Sequence, residues 1–162
     1  MIKRILFDTT YLLPILGIKI KNLKEYNKYI GKILNTYDTY YHPVSLIESK
    51  WELLHLMRRI EVEKWGTIAS RYRQGLNYIL NSNKLTQLRF TNPEVEEEVD
   101  YLIRNGYRDY FDLLIFSTAF IENITLITED DELRNIPNKF KRYENMKVMN
   151  WNELIKLIDE FR

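Results

Sequence analysis

IKRILFDTTYLL, residues 2–13, sets a short apolar run against an abrupt stop. Ile5, Leu6 and Phe7 are too few for a helix and suit a buried strand, so residues 2–7 are read as a strand. Asp8 ends it. Two threonines follow, and a helix is expected from near Thr9 or Thr10 to about Gly17, distorted at Pro14. A carboxylate directly after a buried strand is either a helix cap or part of a binding site, and the remainder of the chain has to decide between them.

From Asn22 to Leu34, apolar residues recur at helical spacing under a lysine-rich opposite face. Thr39 to Val44 reads as a second strand ending near Pro43. Ser45 then opens a helix, Leu46 to Ile60, with Leu46, Leu53, Leu54 and Met57 on one side. Another helix is expected over 62–82 and an irregular or extended stretch over 84–90. Asn92-Pro93 is a helix start, a cap residue followed by proline at the first helical position, and that helix should stop at Asn105-Gly106. A helix from Tyr110 to Glu122 leads into a strand, Ile124 to Thr128. Lys147 to Met149 is a possible edge strand, and Asn150 with Glu153 resembles a capping box opening a last helix. Short apolar strands alternating with longer helices imply an α/β fold of three layers, α/β/α, around a mostly parallel sheet. The 162 residues fit a single domain, 1–162, with a helical elaboration around 62–104.

The composition is that of a globular protein, 45% apolar and 29% charged. No apolar run approaches the roughly 18 residues that a bilayer span needs, and the N-terminus shows no secretory signal, so a cytoplasmic protein without membrane attachment is expected. The absence of cysteine excludes disulfides, thiolate metal sites and cysteine nucleophiles. A net charge of +1 is not that of a protein held to nucleic acid by phosphate contacts alone, but acids gathered at a site would offset basic residues elsewhere.

Ligands of open parallel sheets bind outside the carboxyl ends of the strands. Asp8 stands at such an end, and Asp130 follows the strand ITLIT. Glu48 lies in the first turn of the helix after the second strand, and Asp112 starts the helix DLLIFSTAF that feeds the strand before Asp130. Singly, each has a structural reading as a cap or as an acid favoured by a helix dipole. Together at one sheet edge they would repel and raise one another's pKa, a conflict that a divalent cation resolves. Oxygen ligands without His or Cys favour Mg²⁺ or Mn²⁺, ions suited to activating water for phosphodiester hydrolysis.

These segments resemble the PIN-domain family of metal-dependent ribonucleases, which includes the VapC-type toxins. ILFDTTYLL is similar to the family's strand, Asp, hydroxyl and apolar helix. SLIE, ending at Glu48, is similar to its Thr-Leu-x-Glu, and DLLIFSTAFIENITLITEDDEL to its Asp-led helix, short loop and strand ending in Thr-x-Asp. The resemblance implies that Asp8, Glu48, Asp112 and Asp130 are the catalytic and metal-binding acids. Thr10 and Thr128 would orient carboxylates or waters, and Asp109 would assist. Leu113 stands where the family has Ala and Ser45 where it has Thr. The implied protein is an endoribonuclease using Mg²⁺ or Mn²⁺, the toxin of a toxin–antitoxin pair, with RNA as substrate, an antitoxin partner and a homodimeric state. The alternative is a PIN-fold binding module that acts through protein or RNA partners without cleaving.

Arg58-Arg59, Arg71 with Arg73, Arg104 with Arg108 and the lysines of 19–32 are candidate RNA-backbone contacts, though such spacing usually marks a solvated helix face. His42 and His55 belong to no metal pattern. A phosphatase of the haloacid-dehalogenase type needs a second Asp where Thr10 stands, and no glycine-rich nucleotide loop occurs.

Overall fold

The computed structural model describes residues 3–160. Its strands are β1 Arg4–Phe7, β2 Asp38–Tyr41, β3 Leu85–Gln87, β4 Thr125–Ile127 and β5 Val148–Met149. All pair in parallel, in the order β3-β2-β1-β4-β5. Ile2, included in the expected first strand, lies outside the described residues. The chain winds one way from β1 through β3 and the other way through β4 and β5. The order therefore reverses between β1 and β4, and a crevice opens there at the carboxyl edge.

β1 alternates between two cores. Ile5 and Phe7 face one and Leu6 the other, and all three are fully buried. The first core is covered by helices α1 Thr9–Leu12, α2 Tyr26–Thr36, α4 Trp65–Asn81 and α8 Trp151–Glu160. The second is covered by α5 Pro93–Arg104, α6 Tyr110–Ile121 and α7 Asp131–Lys139. Helix α3, Val44–Met57, gives Leu53 to the first core and Val44 to the second. Every residue of α6 from Leu113 to Ala119 is buried, which explains a helix apolar on all sides. Among the described residues no helix is long and apolar enough to cross a membrane.

Local chemistry sets the element ends. Asn92 Oδ1 accepts from the Val95 N–H at 2.9 Å, with Pro93 as the first helical residue. Asn150 and Glu153 satisfy each other's backbone N–H at 2.9 and 2.7 Å, the reciprocal bonds of a capping box. Buried His42 is held neutral, its pKa lowered to about 4 by desolvation. Its Nδ1 accepts from the Val44 N–H at 3.1 Å and its Nε2 donates to the Phe90 carbonyl at 2.8 Å, which ties the start of α3 to the loop after β3.

Several elements depart from the sequence reading. α1 is one turn, because Pro14 cannot continue the helical ladder, and the chain turns back through Gly17 at φ +81°. α2 begins at Tyr26, since Glu25 sits at φ 50° and interrupts the helical period that Leu23 would otherwise extend. Leu54, expected on the inner side of α3 with Leu53, is 42% exposed. The stretch 84–90 holds β3, an edge strand of the sheet. Residues 62–104 thus contain α4, β3 and α5, so that the sheet itself runs through the part read as a helical elaboration. Helix α7 fills a stretch after Thr128 for which the sequence reading names no element.

Gly75 fixes α4 to this core. A Cβ there would come within 2.1 Å of the Ile15 carbonyl oxygen and 2.7 Å of the Leu16 Cα, both backbone atoms that cannot yield cheaply. Gly75→Ala is therefore expected to destabilise the protein by about 2–3 kcal/mol, whereas a control Gly31→Ala, with open space around it, should be neutral or slightly stabilising. Urea denaturation of both variants checks this.

Candidate active site at the carboxyl edge of the sheet

Asp8 leaves β1 at the crevice. Its backbone N–H continues the ladder to the Ile127 carbonyl at 3.0 Å, and its own carbonyl accepts from Tyr11 N–H at 3.1 Å to start α1. The side chain is pinned twice: Oδ1 accepts from the Thr9 N–H at 2.6 Å and Oδ2 from the Thr128 hydroxyl at 2.7 Å. Asp8 therefore is a helix cap, and the cap leaves its carboxylate facing the crevice among other acids. Thr128 Oγ1 accepts in turn from the Asp130 N–H at 3.0 Å, joining the ends of the two central strands.

The remaining acids arrive from separate elements. Glu48 lies in the second turn of α3 and accepts a short hydrogen bond from the Thr9 hydroxyl. Asp112 is in the first turn of α6, and Asp130 caps α7 through Oδ1, which accepts from Leu133 N–H at 2.9 Å. Asp8, Glu48, Asp112 and Asp130 line one cavity of about 380 Å³ together with Glu52, Thr9, Thr10 and Leu13. Among the described residues, no lysine or arginine lines it. Thr10 takes part in the lining, and the hydroxyl that orients Glu48 belongs to its neighbour Thr9. Asp109 does not line the cavity. It is the N-cap of α6, its Oδ1 accepting from the N–H groups of Phe111 at 3.1 Å and Asp112 at 3.3 Å.

The cavity is electrostatically unrelieved. Burial, then the charges of Asp8, Asp109, Glu48 and Asp130, push the Asp112 pKa up to about 8. Burial raises Glu48 to about 7 against the opposing Thr9 bond, with Asp8, Asp109 and Glu52 adding to the rise. Asp8 is raised chiefly by desolvation, which outweighs its bonds from Thr128 and Thr9.

An all-oxygen donor set, mutual repulsion and no protein cation in the lining fit a hard divalent ion. As the side chains stand, no three acids among the described residues form a ready-made metal cluster, so closing the set on one ion takes side-chain rotation. Glu52 joins the lining without having been singled out in the sequence. Its spacing one turn beyond Glu48 was the available signal. Sequence reasoning also passed over Glu129, behind the site, whose Oε1 accepts from the Tyr11 hydroxyl at 2.7 Å and the Trp151 N–H at 2.8 Å. Trp151 stacks on Tyr11 and Tyr26 at 5.8 and 5.3 Å, so α8 backs the turn that carries Asp8.

A family model described as the PIN domain matches residues 5–139, from within β1 to the end of α7. No curated protein sequence matches the chain. The fold is similar to PAE2754 from Pyrobaculum aerophilum, with TM-score 0.64, 16% identity and 99% of each chain covered. It is similar to VapBC2 from Rickettsia felis bound to a DNA fragment from their promoter, with TM-score 0.57, 21% identity, 93% of this chain and 99% of that one. A toxin–antitoxin complex from Klebsiella pneumoniae aligns with TM-score 0.52 and 15% identity over 80% of this chain and 88% of that one.

Raised carboxylate pKa values make the metal-free protein pH-sensitive. Stability from Asp112 and Glu48 is fully present below their ordinary values of 3.8 and 4.5 and is lost as the pH rises toward about 8 for Asp112 and about 7 for Glu48. In chelator, the melting temperature should fall between pH 5 and pH 8. Asp112→Asn or Glu48→Gln should flatten that fall and stabilise the protein at pH 8 by about 0.5–2 kcal/mol, a modest gain because both groups are partly solvated. A clear loss of stability from either substitution would mark the acid as structural.

Proposed function

The chain belongs to the PIN-domain family, and from that premise we propose that it is a divalent-metal-dependent endoribonuclease, the toxin of a toxin–antitoxin pair. The observation that carries this reading is the cavity in which Asp8, Glu48, Asp112 and Asp130, from separate elements, meet without any lysine or arginine in the lining. Similarity to a toxin–antitoxin complex supports the antitoxin partner.

Asp8, Glu48, Asp112 and Asp130 would hold Mg²⁺ or Mn²⁺, which when bound supplies an activated water and neutralises charge building on the scissile phosphodiester. The chain's own groups prepare the site. Thr128 holds Asp8 in one rotamer through Oδ2, and Thr9 orients Glu48. Thr10 makes no side-chain hydrogen bond among the described residues and faces the same cavity, so its hydroxyl is available to donate to a phosphate oxygen. The buried floor of α1, Tyr11 and Trp151 keeps bulk water from behind the acids.

The test is cleavage of single-stranded RNA with Mg²⁺ or Mn²⁺, with and without EDTA. Asp8→Asn keeps the shape and the cap but not the charge, and it should abolish cleavage. Wild-type rates from that variant, with contaminating nucleases excluded, would overturn the mechanism and leave a PIN-fold binding module. Asp112→Asn should abolish cleavage too. Asp109→Asn should cost about tenfold or less, roughly 1.4 kcal/mol of barrier, because asparagine still caps α6 and residue 109 lies outside the cavity lining.

α3 carries an outward stripe at helical spacing, Ile47, Trp51 and Leu54, with Trp51 57% exposed. We propose this stripe as the homodimer contact, an exposed apolar row that a two-fold axis would bury against its own copy. Light scattering at micromolar concentration should give a dimer, and Trp51→Glu a monomer of unchanged fold. A wild-type monomer would refute the pairing.

A further inference from the structure

At the opposite edge of the sheet, where β1 and β4 begin, a cleft of about 420 Å³ is lined by Lys3, Arg4, Arg142 and Lys147 and by no acidic residue. The net charge of the whole chain is only +1, so these cations are a local concentration and not part of a generally basic surface. Lys3 and Lys147 make no ion pair among the described residues.

The two arginines are fixed from behind. Arg4 Nη1 donates to the Glu122 carbonyl at 2.9 Å, and its guanidinium lies over the Tyr40 ring at 5.0 Å. Arg142 donates to Glu98 and lies over the Tyr101 ring at 4.9 Å. A guanidinium has five N–H donors, so each arginine keeps donors free while its position is already settled. Phe120, Asn123 and Asn145 complete the wall, and neither asparagine amide has a side-chain hydrogen bond among the described residues. The cleft thus offers fixed and free cations for a phosphate, two amides for polar edges and an aromatic ring beside them. Its volume falls in the range of about 300–1,000 Å³ typical of small-ligand sites.

We infer that this cleft binds a nucleotide through its phosphate, either a free nucleotide or the phosphorylated end of an RNA strand. The site is separate from the carboxylate cavity, and its assignment does not depend on the nuclease reading. Lysines on a merely solvated face would bind neither.

The experiment is calorimetric titration of the whole chain in EDTA, where metal-dependent cleavage cannot interfere. The probes are inorganic phosphate, adenosine monophosphate, and a short RNA with either a 5′-phosphate or a 5′-hydroxyl. The monophosphate should bind, and Lys3→Gln with Lys147→Gln should weaken it by about tenfold or more, as expected when charged hydrogen bonds are lost. Both lysines are exposed, so circular dichroism should report an unchanged fold. Tighter binding of the 5′-phosphorylated RNA than of the monophosphate names an RNA end as the source. Binding of the monophosphate alone names the free nucleotide. The proposal is overturned if no probe binds, if the double variant binds as well as wild type, or if Lys156→Gln, at an exposed position of α8 outside the cleft, weakens binding equally. An acidic peptide that binds as tightly as the monophosphate would also overturn it.

Discussion

β1 is hydrogen-bonded along both edges and covered on both faces, with Ile5, Leu6 and Phe7 fully buried. Moving it would break two ladders and disturb two cores at once, so Asp8, which still bonds to β4 through its backbone, has almost no freedom. The other acids are positioned relative to this fixed point. α3 follows β2, α6 leads into β4 and α7 leaves it, so each brings its carboxylate to the carboxyl edge by connectivity. The crevice exists because strand order reverses beside β1.

The same strand separates charges that the formal total conceals. Arg4 opens it at a cleft of cations and Asp8 follows it at a cavity of acids, with only β1 between them. Folding tolerates the acidic end because repulsion there is offset by burial elsewhere, chiefly the two cores and the buried run Leu113–Ala119 of α6. Glu98 shows how the chain treats a purely structural acid: it is buried, yet Arg142 and the Tyr143 hydroxyl both donate to it. The cavity acids receive N–H and hydroxyl donors but no such cation.

Where a signal was local, the sequence carried it. The strand ending on Asp8, the Asn92-Pro93 start and the Asn150–Glu153 box each depend on neighbours within four residues. β3 was legible only as an irregular or extended stretch because Leu85 is its only buried residue, and it is a strand through its bonds to β2 and not through any pattern of its own. α7 escaped because Pro137 sits inside it and only Leu133 and Ile136 are buried. The four candidate acids could be named from their places at strand ends, but the bond from Thr9 to Glu48 depends on how one turn of helix meets α3. The cations of the second cleft were invisible for the opposite reason to the arginine pairs singled out: Lys3, Arg4, Arg142 and Lys147 gather only when β1 and the segment before β5 meet at one sheet edge.

The support behind Asp8 has a consequence for synthesis. Glu129 bonds both Tyr11 and the first turn of α8, and Trp151 stacks on Tyr11 and Tyr26. A chain leaving the ribosome makes β1, α1 and β4 well before α8. Until α8 emerges, the aromatic floor under the acids is incomplete and the nascent turn carrying Asp8 lacks its backing. The backing of the turn that carries Asp8 thus waits on α8, although no residue of α8 lines the cavity itself.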